Sequence, residues 1–183
     1  MRILAGVLKG RRLVTPRGST TRPTADQVRI ALMDTLTPRL PDARVLDLFA
    51  GAGGVGFEAL SRGAAHATFV ERDAQAIRAL RENVKALDVA ALATVRRGNV
   101  LKELTTLLAE GERFDIVFLD PPYEGDLVET TLAMLGGGGL TRPDALVIAQ
   151  HFTKRPPAAV IGRLGSFRAR RFGETTLTFY RAG

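Results

Sequence analysis

From Arg44 onward, apolar residues gather in short blocks separated by stretches of helical spacing. Val45–Phe49, Ala67–Glu71, Ala93–Arg97, Phe114–Leu119 and Ala145–Ala149 read as apolar strands. Between them, Phe57–Leu60, Ile77/Leu80/Val84/Leu87 and Leu101/Leu104/Leu108 keep helical spacing, which predicts amphipathic helices. Strands that alternate with helices run parallel through right-handed crossovers, so the pattern predicts an α/β fold with a doubly wound, mostly parallel sheet. The end of the chain departs from this rhythm. Phe167–Phe172 and Thr175–Tyr180, joined through Gly173 and Glu174, predict a hairpin that adds antiparallel strands at one edge.

Ahead of the alternating region, the first sixteen residues have short apolar runs around Leu4 and Leu13 with Gly6 and Gly10 between them, which predicts a small hairpin. Thr24-Ala25-Asp26-Gln27 then reads as a capping box, and Val28, Leu32 and Leu36 follow at spacing four before Pro38 stops the helix. Residues 1–40 are thus expected to form a basic extension of hairpin plus helix, and residues 41–183 the main domain. The glycine run 136–139 is short enough to be a loop before a strand.

Composition narrows the class. A chain of 183 residues that is 45% hydrophobic and 25% charged is an ordinary single globular domain. The absence of cysteine excludes disulfides, a thiolate zinc site and chemistry that needs a cysteine nucleophile. His66 and His151 lie outside any metal spacing, so no metal is expected. With no signal-type or membrane-spanning apolar run, the expectation is a cytoplasmic protein.

The net charge of +7 is unevenly placed: residues 1–44 sum to +6, residues 45–149 to −5 and residues 150–183 to +6. Basic ends around an acidic middle suit a polyanion outside and a cationic small molecule within, and nucleic acid is the first candidate. Lys9, Arg11 and Arg12 at one end, and Lys154, Arg155, Arg168, Arg170 and Arg171 at the other, are the candidate phosphate contacts.

The candidate chemistry lies at the strand ends. After the first strand comes Asp47-Leu-Phe-Ala-Gly51-Ala-Gly53-Gly-Val-Gly56, with Glu71 twenty residues beyond Gly51, matching a dinucleotide fingerprint. Asp47 sets it apart, because a carboxylate here would repel a pyrophosphate but attract the ammonium and sulfonium of S-adenosyl-L-methionine. A nicotinamide-dependent oxidoreductase is thereby disfavoured. Asn99, after the third strand, could offer its amide to an adenine edge or cap the helix that opens at Val100, and both roles stay open.

The fourth strand runs into Asp120-Pro121-Pro122-Tyr123 at the carboxyl end of the sheet, where open α/β folds bind ligands. An exocyclic amine on a base attacks only if its delocalised lone pair is freed, and the Asp120 carboxylate with the Pro121 carbonyl can accept its two hydrogens. The prolines fix the loop, and Tyr123 offers a ring for a base to stack on, worth roughly 1–3 kcal/mol. Asp120, taken at an ordinary carboxylate value near 4, is expected to orient the amine and take a proton only once the nitrogen becomes cationic.

Together these residues resemble the class I S-adenosylmethionine-dependent methyltransferases. Within them the chain is similar to the bacterial RsmD family, which methylates the N2 amine of one guanine in 16S ribosomal RNA. The resemblance rests on Gly6-Val-Leu-Lys-Gly-Arg-Arg-Leu13, Arg22-Pro23-Thr24 with Asp26 and Val28-Arg29, Leu46-Asp-Leu-Phe-Ala-Gly-Ala-Gly53, Gly56-Phe-Glu-Ala-Leu-Ser-Arg-Gly63 and Asp120-Pro-Pro-Tyr123. It implies a Rossmann-like fold in which Asp47, Phe49, Gly51, Gly53, Glu71, Arg72, Asn99 and Val100 line the cofactor site. By the same likeness Asp120, Pro121, Pro122 and Tyr123 hold the target base, and Arg22, Pro23 and Thr24 form a lid near both. The partner it implies is ribosomal RNA or an assembling small subunit, and the chain is expected to act as a monomer. The chain departs from the family at Ile30, Met33-Asp34 and Gln150, where an acid, a Phe-Asn pair and a Glu are usual. The alternatives are N6-adenine methylation of DNA or RNA, against which 183 residues leave no room for a sizeable target-recognition domain, and a catalytically silent RNA-binding module.

Overall fold

A computed structural model describes residues 1–16, 23–122 and 125–183, apart from the side chains of residues 23–25. Its strands are β1 (Arg44–Leu48), β2 (His66–Glu71), β3 (Ala93–Arg97), β4 (Phe114–Leu119), β5 (Thr141–Phe152), β6 (Val160–Ile161), β7 (Leu164–Phe172) and β8 (Thr175–Ala182). They form one sheet in the order β3-β2-β1-β4-β5-β8-β7-β6. The strands from β3 to β5 in that order pair parallel, and β8, β7 and β6 add on antiparallel. The doubly wound sheet with its antiparallel end is the architecture expected from the pattern of apolar blocks.

The helices are α1 (Pro23–Leu36), α2 (Gly54–Ser61), α3 (Ala74–Ala86), α4 (Val100–Ala109) and α5 (Leu127–Gly136). One face of the sheet packs on Val28, Leu32 and Leu36 of α1, Phe57 and Leu60 of α2, and Ile77 and Leu80 of α3. The other packs on Val100, Leu104 and Leu107 of α4 and Leu132 and Leu135 of α5. The central strands β1 and β4 are buried on both sides, which is why they read as apolar runs, whereas β3 at the edge has no buried residue.

Several local expectations are corrected. α1 begins at Pro23, so Thr24 sits inside the first turn rather than capping it, and a proline whose fixed φ suits the first helical position opens the helix. The inward stripe of α4 is Val100, Leu104 and Leu107, while Leu108 is 47% exposed. Two stripes one residue apart satisfy the same spacing, and Leu108 instead reaches over Gly139, where an added β-carbon would meet its Cδ1 at 2.5 Å. β5 begins at Thr141 and ends at Phe152, longer than its apolar centre. α5 and β6 were not foreseen: the first ends in the glycine run, and the second has two residues.

The N-terminal segment closes only one bridge, Arg2 to Arg12, and is held down by buried polar side chains rather than by a ladder. Glu58 of α2, wholly buried, accepts the Leu4 and Ala5 amides at 2.8 and 3.0 Å. Asn83 of α3, also wholly buried, accepts the Val14 amide at 2.7 Å and donates to the carbonyls of Val14 and Ala52. Gly6 has φ +81° and lies so close to α2 that a β-carbon would stand 1.8 Å from the Ser61 carbonyl oxygen. Ile3 and Leu13 join the same core cluster as β1 and α2.

Candidate active site

β1 lies between β2 and β4, so the chain leaves it toward opposite sides of the sheet, and a crevice opens at the carboxyl ends of these strands. Side chains from the ends of all four neighbouring strands converge there. The larger of two adjoining cavities, about 440 Å³, is lined by Phe49, Glu71, Arg72, Gly98, Asn99, Val100, Leu101, Asp120, Pro121, Pro122 and Leu127. A space of that size and mixed polarity suits a nucleoside-sized ligand. The smaller cavity, about 190 Å³, has Asp47, Phe49, Asp120, Arg29 and Gln150 in its wall. Phe49 and Asp120 face both.

The glycine loop gives the crevice its floor. Gly51 has φ +56° and nothing within 4 Å of where a β-carbon would stand, so the backbone there is open to close approach. Gly53 and Gly56 serve packing instead: a β-carbon would meet Phe57 and Leu80 at the first, and Phe69 at the second, at 2.2–2.5 Å. Phe49 itself has φ +60°, rare for a bulky side chain, and this turn aims its ring between the cavities.

The strand-end acids differ in how they are held. Glu71 accepts the Gly51 amide at 2.8 Å through Oε2, and the Arg72 and Asp73 amides at 2.7 and 2.8 Å through Oε1. The carboxylate is locked against the glycine loop with about one of its roughly four acceptor directions left for a ligand. Asn99 caps α4, its Oδ1 accepting from the Leu101 and Lys102 amides, while its side-chain N–H₂ is free of that cap on the cavity wall. Both roles open for Asn99 are therefore compatible.

Asp47 is 2% exposed and accepts the Gly56 amide at 2.9 Å. Burial pushes its carboxyl up to about 8, against the lowering effect of the Gly56 amide, and the Asp120 and Glu71 charges add to the rise. Asp120 is half-buried, accepts no hydrogen bond from another described residue, and is pushed up to about 7 by burial. This corrects the ordinary value near 4 assumed from the sequence, because neighbouring apolar groups at the end of β4 strip water from the carboxyl.

The crevice thus gathers Phe49, Glu71, Arg72, Asn99, Val100, Asp120, Pro121 and Pro122 around one cavity and sets Asp47 in the adjoining one. Gly51 and Gly53 shape the loop without lining either wall. Arg22 and Tyr123 lie outside the described residues, as do the side chains of Pro23 and Thr24. Arg29, Gln150 and Leu127 join the site without having been singled out for it: Arg29 stood in a quoted motif, and Leu127 opens the helix that was not foreseen.

The two basic ends do not reach the same place. Val7 and Leu8, just before Lys9, bond to Ser61 at the far end of α2 from the glycine loop, and eight residues of helix span about 12 Å. Arg11 donates to the Ala86 carbonyl at the end of α3. Arg170, by contrast, pairs in register with Leu177, which pairs with Gln150, and Gln150 lies beside Asp120 across the sheet. Three strand spacings put Arg170 about 14 Å from Asp120, level with the crevice. Arg155 borders a small depression with Pro122. Among the described residues, Lys154, Arg155, Arg168, Arg170, Arg171 and Arg181 make no ion pair with an Asp or Glu, whereas Arg29, Arg44, Arg62, Arg96 and Arg142 do.

The described residues hold no group of three or more His, Asp or Glu placed to bind a metal. What they do hold is a set of polar groups at the strand ends: the Glu71 carboxylate and the Asn99 amide on the larger cavity, and Asp47 on the adjoining one. Fold and site together define a class I methyltransferase. The chain belongs, more particularly, to the RsmD family: the family model described as Conserved hypothetical protein 95 matches residues 1–181. It is 38% identical over 154 residues to ribosomal RNA small subunit methyltransferase D of Escherichia coli strain K12, covering 82% of this chain and 74% of that one. The putative rRNA methyltransferase YlbH of Bacillus subtilis is 34% identical over 181 residues, 99% of this chain and 98% of its own. Among solved structures, the putative methyltransferase yhhF from Escherichia coli superposes with a TM-score of 0.85 at 33% identity, over 100% of this chain and 97% of that one.

Proposed function

We propose that the protein transfers a methyl group from S-adenosylmethionine to the N2 amine of a guanine in 16S ribosomal RNA. The observation that carries this reading is the Asp120-Pro121-Pro122 turn, whose carboxylate stands without a described partner where the two cavities meet. The family relatives named as small-subunit rRNA methyltransferases support the substrate class.

The bound donor supplies an electrophilic methyl on a sulfonium. The chain supplies geometry. Glu71 holds the ribose hydroxyls from the floor of the larger cavity, Asn99 reaches the adenine edge with its free N–H₂, and Asp47 faces the cationic tail. Asp120 and the Pro121 carbonyl accept the two hydrogens of the guanine amine, turning its lone pair toward the methyl. As the N–C bond forms the nitrogen gains charge, and Asp120 takes one of those protons. A carboxyl near 7 is matched to the task, since it is ionised in a useful fraction before attack and basic enough to receive the proton afterwards. The prolines keep competing N–H donors out of the turn.

The RNA approaches along the C-terminal edge. Among the described residues, β7 pairs with β6 only at Leu164 and Gly165, and its remainder carries Phe167, Arg168, Arg170, Arg171 and Phe172, with Arg170 Nη1 donating to the Ala31 carbonyl of α1. Arg181 lies over the Phe167 ring at 5.2 Å and Arg170 over Phe172 at 5.9 Å, and Phe167 is 49% exposed. Unneutralised guanidinium groups interleaved with rings suit a phosphate backbone and unstacked bases.

The decisive experiment is transfer of tritiated methyl to small-subunit RNA and particles from a strain lacking the gene, followed by mapping of the modified base. Label on a guanine N2 is expected. Label on adenine N6, or none, would overturn the assignment.

A further inference from the structure

Arg29 is a buried guanidinium that its ion pair with Asp26 satisfies only in part. It sits on α1 with 6% of its surface exposed, and its Nη2 donates to the Arg2 carbonyl and to Asp26 Oδ1, each at 3.0 Å. Nε and Nη1, buried with it, have no partner among the described residues. A guanidinium cannot shed its proton in a protein, so those donors stay charged and want an acceptor.

The surroundings repeat the demand. A β-carbon built on Gly54 would stand 2.9 Å from the Met1 Sδ and Cε and 3.5 Å from Arg29 Nη1, so the Met1 thioether and the guanidinium lie side by side near the first residue of α2. There the Gly54 and Val55 amides donate to no described residue, while the Gly56 amide is taken by Asp47. A helix start is already electropositive, and a cation set beside free amides leaves donors with nothing between them to accept. Arg29, Gly54 and Val55 border the smaller cavity, and Asp47 faces the same space with a carboxyl that a bound cation would hold ionised. One wall calls for a carboxylate and the other for a cation, which is the signature of an α-amino acid.

We infer that Arg29, with the opening amides of α2, is the receptor for the α-carboxylate of the methyl donor, while Asp47 serves its ammonium. The inference rests on donor binding at this crevice, and it gives Arg29 a positioning role: it fixes the amino-acid tail and through it the sulfonium relative to Asp120.

Calorimetry on the full chain separates the possibilities. S-adenosylhomocysteine carries the carboxylate, 5′-methylthioadenosine lacks the whole amino-acid tail, and the aminopropyl analogue of S-adenosylhomocysteine lacks only the carboxylate. Wild type is expected to bind S-adenosylhomocysteine at least about tenfold more tightly than the aminopropyl analogue, in line with a charge-assisted pair. Arg29→Gln should remove that preference and leave 5′-methylthioadenosine within about twofold, and Arg29→Lys should restore part of it, keeping the charge without the fork. Equal losses for all three ligands in Arg29→Gln would mark a structural role and overturn the inference. If that variant does not fold, wild type decides alone, since equal affinity for the carboxylate-bearing and aminopropyl ligands would also overturn it. Wild type that binds none of the three would bring down donor binding at this crevice, and the Arg29 assignment with it.

Discussion

The two sides of the crevice are built on opposite plans. On the donor side, at the ends of β2 and β3, Glu71 and Asn99 are locked by backbone amides before any ligand arrives. On the acceptor side, at the end of β4, Asp120 has no described partner, and β7 carries guanidinium groups without described ion-pair partners. A small donor gains affinity from a site already in shape, because little ordering remains to oppose binding. A large RNA brings its own hydrogens and phosphates to complete what the protein leaves open.

The comparison breaks most visibly at Asp120. Asp120→Ala should lower single-turnover methyl transfer by about 10²–10⁴-fold while donor and RNA affinities move only a few-fold. An Asp120→Ala enzyme near the wild-type rate would sink the amine-orienting mechanism. RNA affinity should show the next largest effect: if about six phosphates are neutralised, it falls roughly 10³-fold between 50 and 200 mM salt. Filter binding with Arg168→Ala/Arg170→Ala should flatten that salt slope by about two contacts, whereas Lys9→Ala should leave it nearly unchanged.

Donor-side changes should be smaller and should read in binding. Glu71→Gln keeps one acceptor oxygen but loses the charge and the second acceptor, so S-adenosylhomocysteine should weaken by at least about 10-fold, as hydrogen bonds to a charged group are worth about 1.5–3 kcal/mol. Equal calorimetric affinity in the variant would remove Glu71 from the ribose. The turnover profile should also report Asp120: its ionised form does the orienting, so the rate should fall about tenfold per unit below the value near 7 and level off above it. A flat profile between pH 5 and 8 would refute this.

The smallest effect concerns stability. Asp47 has a folded value near 8, above its ordinary value near 4, so its contribution to the ligand-free fold is fully present below about 4 and is lost as pH rises through 8. Asp47→Asn, which still accepts the Gly56 amide, should raise the Tm of the ligand-free protein at pH 8 by several degrees, with little effect at pH 5, while weakening the donor. Differential scanning of both proteins at the two pH values would show it.

Much of this site is written in local sequence. Asp47, Glu71, Asn99 and Asp120 each stand at or beside a strand's end, and strands that long and apolar are legible from burial on both faces. The glycine loop is legible for the same reason: turns of positive φ select glycine wherever they occur. Arg29 was quoted within a motif, yet nothing in its neighbourhood says that its guanidinium would be buried with free donors, since that depends on α2 arriving from twenty-five residues away. Gln150 is likewise drawn into the crevice by β5 pairing with β4.

Charge marks the clearest limit of what the chain alone determined. The sequence set two basic ends of equal sum, and no local pattern distinguishes one from the other. Tertiary structure separated them. Glu58 and Ser61 of α2 and Asn83 of α3 pin the first end and carry Lys9 toward the amino side of the sheet, while antiparallel pairing through β8 brings Arg170 level with Gln150 beside Asp120. Periodicity and turn chemistry act over a few residues and so survive in the sequence. Which surface a charge finally faces is decided by contacts between residues far apart in the chain, and those exist only once the sheet has closed.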